Sequence, residues 1–471
     1  LVWSSRHADA LALLLSVAEE APRAGLPAAA WRVVALAANV AYQTGLPGDR
    51  EAVLSALTRL EELRPPPEGQ PEGTDELRLW IHGCLEPFTG RSRAVAWLRQ
   101  VAAGPVANIP MLGAAAWMLD ESELAITLLR EALRRLRSNG SPGSSGAMLS
   151  AITWAFVDSG RWDEALAAAS EASGAADVSA MSTVAASADL TVATVLALRG
   201  AHPEVQPYLD RALATVNPAE YRGFAARAWH AAGLAALGQG RHDAAYAQLS
   251  QLFDPDGRPA HHHVSYLALA DLAAAAVRVY RGPETRALLE RALNQADSGP
   301  RLEQIAARAR CLLGESGDPG ETGAGFAAAL SGPAGDAWPF ERAQLRLDYG
   351  EWLRRQRRIN DAKPVLAAAL EVFRRLGADP WTRRTQAELR ACGVTAVTAT
   401  GPQSTLDGLT AQQREIVILA GRGLTNNEIA DRLFLSARTV ASHLHRAYGK
   451  LGLAGRHQLR NLLDQAGEPP R

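Results

Sequence analysis

Turn-forming residues recur at a fixed step through the middle of this 471-residue chain. Asp120, Gly160, Gly200, Gly240 and Gly282 each separate two helix-length amphipathic segments, at spacings of 40, 40, 40 and 42. Five residues after each comes a small or β-branched residue: Ala125, Ala165, Val205, Ala245 and Ala287. The fullest copy runs Trp229-x3-Gly233-x6-Gly240-x4-Ala245-x3-Leu249, and a second carries Gly350, Ala362 and Ala369. Small residues there let two antiparallel helices approach closely while a large one fills the gap. One helix pair cannot bury its apolar face alone, so copies must stack on one another.

The pattern resembles the tetratricopeptide repeat, stretched beyond its usual step of about 34 residues. Residues 1–392, almost free of period-2 alternation, are therefore expected to form an all-α, tetratricopeptide-like solenoid, a curved rod with a concave surface. Its tryptophans Trp154, Trp229 and Trp352 lie inside helical patterns and read as core fillers before ligand-stacking residues. The three cysteines, Cys84, Cys311 and Cys392, are too far apart for a bridge framework or a short-spaced zinc site. That favours a reducing, cytoplasmic setting. No apolar run approaches the ~18 residues of a membrane span. The chain opens at Leu1 directly into a helical pattern, which reads as the C-terminal portion of something longer, and a processed chain would look the same.

Near residue 393 the pattern stops. Val394 to Ser404 lacks helical periodicity and contains Gly401-Pro402, so 393–404 is expected to be a linker and 405–471 a second domain. The charge balance changes there too. The whole chain carries a net charge of −1, yet between Leu409 and Gln465 eight basic residues face only Glu415, Glu428, Asp431 and Asp464. A basic terminus on an acidic body suits a nucleic-acid reader attached to something that is not one.

Three short helices fit into this terminus. Thr410 with Gln413, and Thr425 with Glu428, are capping-box pairs, and Ser436 is a good N-cap. The first helix buries Ile416, Val417, Leu419 and Ala420, and the second Ile429, Ala430 and Leu433. In the third, Val440, Leu444, Ala447 and Leu451 form one stripe. Two helices joined by a short turn are the arrangement of a helix-turn-helix, whose second helix enters the major groove. Arg438, Ala441, Ser442 and His445 then face base edges. Thr425, Asn426 and Asn427 open the bracing helix, where exposed amides suit phosphate. Ser436, Thr439, His443, Arg446 and Lys450 flank the reading face.

Four linked motifs carry a family resemblance: Leu409-Thr410-x3-Arg414-Glu415-Ile416, Gly423-Leu424-Thr425-Asn426-x-Glu428-Ile429-Ala430, Leu435-Ser436-x2-Thr439-Val440-x2-His443-Leu444 and Tyr448-x-Lys450-Leu451-Gly452. Together they resemble the bacterial LuxR-type DNA-binding domain. The resemblance implies a four-helix domain that binds inverted half-sites as a dimer, with Leu459, Leu462 and Leu463 supplying the dimer contact. One departure stands out. Many relatives carry Lys after the Thr-Val pair, whereas this chain has Ala441, which offers only apolar contact. Within the body, Trp338 to Ala343, Tyr349 to Arg355, Phe373 to Ala378, and Trp381 are similar to the final repeat of the large ATP-binding LuxR-type regulators. Those place a nucleotide-binding domain first, a helical sensor next and the reader last. Only the second and third parts are recognisable here.

Other motifs are weak. There is no Gly-x4-Gly-Lys-Ser/Thr phosphate loop, so no cofactor is assigned to this chain. Gly320 to Phe326 follows no strand and lacks a lysine. His261-His262-His263 has no completing acid or Cys pattern and reads as a polar loop, not a metal site. No enzyme signature is found. The expected function is a transcription regulator whose partners are double-stranded DNA, a second copy of itself, the transcription machinery, and a small effector or protein on the helical repeat. The alternative is a repeat scaffold whose terminal helices bind a protein.

Overall fold

The computed structural model describes residues 7–63, 72–138, 145–179, 181–294, 299–314, 319–332, 335–394, 409–433, 435–451, 455 and 459. Over these the chain is helical, and the only extended pairing among the described residues is an isolated bridge between Phe253 and Pro259. It divides into two compact units, 1–392 and 393–471. The expected linker lies, from residue 395 on, outside the described residues.

In the first unit α1 (His7–Arg23) precedes six pairs. They are α2 (Pro27–Thr44) with α3 (Pro47–Glu62), α4 (Thr74–Leu85) with α5 (Arg91–Ala102), and α6 (Ile109–Met118) with α7 (Ser122–Ser138). Then come α8 (Gly146–Asp158) with α9 (Trp162–Ser179), α10 (Ser182–Arg199) with α11 (His202–Thr215), and α12 (Arg222–Gly238) with α13 (His242–Leu249). After the short α14 (Val264–Leu267), α15 (Leu269–Arg278) pairs with α16 (Gly282–Leu293), α17 (Pro300–Leu313) with α18 (Pro319–Ser331), and α19 (Pro339–Arg355) with α20 (Ile359–Leu376). Helix α21 (Asp379–Ala391) ends the unit.

The repeat is more regular than its glycines indicate. Left-handed backbone occurs at Asp120, Gly160, Gly200, Gly240 and Tyr280, every 40 residues, and again at Arg357. At each, the next residue's amide closes the helix on a carbonyl five residues back, as in Glu121 to Ala116 (2.8 Å), Arg161 to Phe156 (2.8 Å) and Arg281 to Ala276 (2.9 Å). This is a Schellman-type end. Gly282 is therefore not the turn residue: it is the first residue of α16, and the turn falls on Tyr280. The position five residues on is Thr285, buried like Ala125, Ala165, Val205 and Ala245, rather than half-buried Ala287. Sequence inspection looks for glycine at a left-handed site, but a non-glycine can occupy one at a cost of about 1–2 kcal/mol.

Within pairs, glycine meets leucine. A Cβ on Gly113, Gly233 or Gly350 would lie 2.8, 2.5 and 2.5 Å from Leu129, Leu249 and Leu366, respectively. Gly323 likewise faces Trp352, so the Gly320–Phe326 segment is helix packing in α18 and not a phosphate-cradling loop.

The first helices of the pairs do not form an open curved rod. α2, α4, α6, α8, α10 and α12 pack each on the next, and α12 packs back on α2, closing a ring of six. The closure is tight: a Cβ on Gly223 of α12 would come 3.2 Å from the Gln43 carbonyl of α2. The histidine triplet locks it. His261 Nε2 donates to the Tyr42 carbonyl (2.6 Å), His262 Nε2 to the Cys84 carbonyl (2.7 Å), and the Tyr42 hydroxyl donates to His263 Nδ1 (3.0 Å). His261 and His263 are fully buried, so this segment is an internal clasp rather than a solvated polar loop. Among the described residues no His, Cys or acid cluster could hold a metal.

Later helices cover the turns of the ring. A Cβ on Gly160 would touch Pro339 and Leu376, and one on Gly200 would touch Pro380. The motif residues near the end of the unit form one aromatic cluster, with Phe340 against Trp381 (4.9 Å), Trp162 (5.7 Å) and Phe373 (5.9 Å). Buried arginines tie the layers. Arg301 binds Asp120 (3.1 Å), Asp158 (2.8 Å) and Glu341 (2.6 Å), and Arg308 binds Asp348 (2.7 Å) and Asp271 (3.1 Å). No described helix is long and apolar enough to cross a membrane.

Candidate nucleic-acid interface

The second unit is built on α22 (Ala411–Gly421), α23 (Asn426–Leu433) and α24 (Ala437–Leu451). Each start is capped as its sequence demands. Gln413 N donates to Thr410 Oγ1 (3.2 Å) and Thr410 N to Gln413 Oε1 (3.3 Å). Thr425 N donates to Glu428 Oε2 (2.6 Å), and Glu428 N to Thr425 Oγ1 (3.3 Å). Thr439 N donates to Ser436 Oγ (3.0 Å). Gly423, left-handed at φ 94°, closes α22. These caps satisfy amides that helix ends leave free, so short helices hold their ends without burying them.

All three helices meet in one core of Ile416, Val417, Leu419, Ala420, Ile429, Ala430, Val440, Leu444, Ala447, Leu451 and Leu459. The stripe on α24 is thus turned fully inward. What remains outward is set by the helical period: Arg438, Ala441, Ser442 and Arg446 are exposed, and Thr439 and His443 are partly covered. The side chains of His445 and Lys450 lie outside the described residues. Over 15 residues α24 runs about 22 Å, enough to lie along a major groove.

The arginines of this unit differ from those of the body. Arg432, Arg438 and Arg446 form no ion pair among the described residues, whereas most body arginines face a carboxylate. On α23, the Thr425 hydroxyl donates to Glu428 (2.8 Å), while Asn427 is exposed and Asn426 half-exposed. The Ser436 and Thr439 hydroxyls bind each other (2.7 Å), which fixes the entry into α24. Leu459 is buried in the core of its own domain; Leu462 and Leu463, and with them the rest of the expected fourth helix, lie outside the described residues.

Sequence reasoning missed a second concavity, inside the ring of six helices. It has a volume of about 240 Å³ and is walled by Trp80, Trp117, Trp154, Tyr42 and Phe224, with Arg227 among them. Trp154 is thus a wall residue as well as a filler. The lining is drawn from helices spaced through two hundred residues, so no local motif signals it.

Residues 407–463 match the family of bacterial regulatory proteins, luxR family. An HTH-type transcriptional regulator of Mycobacterium bovis is 49% identical over 61 residues, 13% of this chain and 7% of that protein. The DNA-binding transcriptional activator DevR/DosR of Mycobacterium tuberculosis is 46% identical over 56 residues, 12% of this chain and 26% of the relative. The spore germination protein GerE of Bacillus subtilis is 44% identical over 50 residues, 11% of this chain but 68% of GerE. The chain therefore spans less than a tenth of the first of these relatives and about two thirds of the last. A solved structure of Rap protein complexed with competence and sporulation factor aligns with 77% of this chain and 99% of its own, at 14% identity and a TM-score of 0.46. By its capped three-helix core and these relatives, the chain belongs, through its C-terminal domain, to the luxR family of bacterial regulatory proteins.

Proposed function

We propose that the chain is a DNA-binding transcription regulator in which α24 reads the major groove and the helical body controls the reader. One observation carries this: α24 buries Val440, Leu444, Ala447 and Leu451 and turns out Arg438, Ala441, Ser442 and Arg446, with both arginines unpaired among the described residues. A guanidinium without a protein partner is free to bind guanine bidentately or to neutralise a phosphate. Arg438 and Ser442, one turn apart, take base edges; Ala441 gives apolar contact to a thymine methyl; Arg446 and Lys450 take phosphate. Thr425, Asn426 and Asn427 brace the other strand at the start of α23, and Ser436, Thr439, His443 and His445 frame the reading helix.

Two copies bind an inverted repeat. Leu459 is already buried within one copy, so Leu462 and Leu463 are the proposed apolar contact between copies. One half-site is a weak, salt-dependent contact, so controlling how two readers pair is an effective switch. The helical body takes a small effector or a protein partner and sets that pairing.

Fluorescence anisotropy of the full chain on duplex DNA over a salt series tests this reading. Arg446→Ala is expected to weaken all sequences alike and to lower the slope of log K against log salt by about 1. Arg438→Ala is expected to cost about 1–3 kcal/mol on the preferred site and to relax base preference there. Unchanged binding in both variants, with intact helicity, would leave the exposed face of α24 without a role on DNA.

A further inference from the structure

Three buried arginines of the body, Arg91, Arg301 and Arg308, each meet at least one carboxylate. Arg227 does not. Its guanidinium enters the cavity of the six-helix ring, stacked 3.6 Å from the ring centre of Trp154 and 5.6 Å from that of Trp117, and makes no ion pair among the described residues. Its polar neighbour is the Tyr42 hydroxyl, a phenol that burial pushes up to about 12 and therefore keeps neutral. Asp158 is already occupied by Arg301 (2.8 Å) and Trp117 Nε1 (3.1 Å). Half-buried, stacked on an aromatic face and without a counter-charge, this guanidinium keeps donors for an incoming anion.

Two further polar atoms wait in the same wall. Ser150 Oγ and Thr183 Oγ1 are buried, line the cavity and have no hydrogen-bond partner among the described residues. The indole N–H groups, by contrast, are satisfied: Trp80 by the Ala35 carbonyl (3.1 Å), Trp117 by Asp158 and Trp154 by Ser187 Oγ (3.3 Å). The tryptophans therefore offer only their faces and edges. The volume of about 240 Å³ compares with the ~150 Å³ that accommodates benzene in an apolar cavity. There is room for a ring system with a short polar head.

We propose that this cavity binds a small monocarboxylate with an aromatic or alicyclic body, its carboxylate on Arg227 and its ring between the tryptophans. The hydroxyls of Ser150 and Thr183 supply the remaining donors. A cationic ligand is excluded, because Arg227 already occupies the aromatic cage. The site spans the ring closure: Tyr42 and Gln43 come from α2, and Gly223, Phe224 and Arg227 from α12. This inference rests on the reading of the helical body as the effector-binding part, and it names the effector's chemistry.

The test uses the full chain without DNA, so its outcome is independent of whether α24 reads a groove. Benzoate, 2-naphthoate and biphenyl-4-carboxylate are titrated against their carboxamides, by calorimetry and by tryptophan fluorescence. The expected result is at least one carboxylate bound tenfold or more tighter than its amide, with the preference lost in Arg227→Gln while amide binding persists. Arg227→Lys should restore part of it. Arg227→Gln is compared as a folded chain, its helical signal matched to that of the parent. No binding of any acid up to millimolar concentration, equal binding of acid and amide, or acid affinity unchanged in a folded Arg227→Gln chain would each overturn the proposal.

Discussion

Replacing Arg301 by alanine is expected to destabilise the helical body by about 3–5 kcal/mol, read as a lowered urea midpoint of the helical signal. Arg301 is 5% exposed and is drawn at once to Asp120 after α6, Asp158 at the end of α8 and Glu341 in α19. Burial already pushes the Asp120 and Glu341 carboxyls above the usual range, even with Arg301 beside them. Without the guanidinium, three carboxylates are left close together with only Arg91 beside Asp120 (3.4 Å) and the Trp117 indole on Asp158 (3.1 Å), and Glu341 must protonate or draw in water. The control is Arg137→Ala, which breaks a well-formed but exposed pair with Glu171 (2.6 Å) and should cost under about 1 kcal/mol. Equal losses in the two variants would mean that the buried network does not join the layers.

Mild acid is expected to loosen the same body through the histidine clasp. Burial is the main cause lowering the pKa of His261, His262 and His263, and for His262 it brings the value to about 4. Neighbouring charge adds to it, Arg227 acting on His261 and His263 and Arg50 on His262. In the unfolded chain these rings titrate near 6.5. Between those values the unfolded state binds more protons than the folded one, so stability falls as pH falls. The contribution is fully present above pH 6.5 and is lost progressively down to about pH 4. His262 alone accounts for on the order of 3 kcal/mol across that window. Urea midpoints at pH 7.5, 6.0 and 5.0 should decline in step, and His262→Gln, whose amide can still donate to the Cys84 carbonyl, should flatten the decline. A flat profile in the parent would show that the three rings are protonated or solvated in the folded state.

What could be read from sequence follows the range of the interactions involved. Thr410 with Gln413, Thr425 with Glu428, and Ser436 before α24 act over three residues, and each cap forms where local chemistry puts it. The buried stripe of α24 follows from helical period alone. The forty-residue step was legible too, except where Tyr280 and Arg357 adopt a left-handed turn that glycine usually marks. The ring closure was not. It depends on Tyr42 meeting His263, 221 residues away, as the tie to the later helices depends on Arg301 meeting Asp120, 181 residues away. No periodicity encodes such pairs, because they arise only when the accumulated rotation of successive helix pairs brings α12 back to α2. For the same reason Arg227 is an ordinary helix-face arginine in sequence and a cation among tryptophans in the fold.

The proposed function stands on the reading of base sequence by α24. It is tested most directly by enriching bound DNA from a random duplex pool with the full chain, beside Arg438→Ala of matched helicity. The expected result is an inverted repeat with half-site centres about one helical turn apart, or a multiple of it, and loss of base preference in the variant at one position of each half-site. A folded parent that enriches no motif, or a variant that enriches the same motif unchanged, would contradict it.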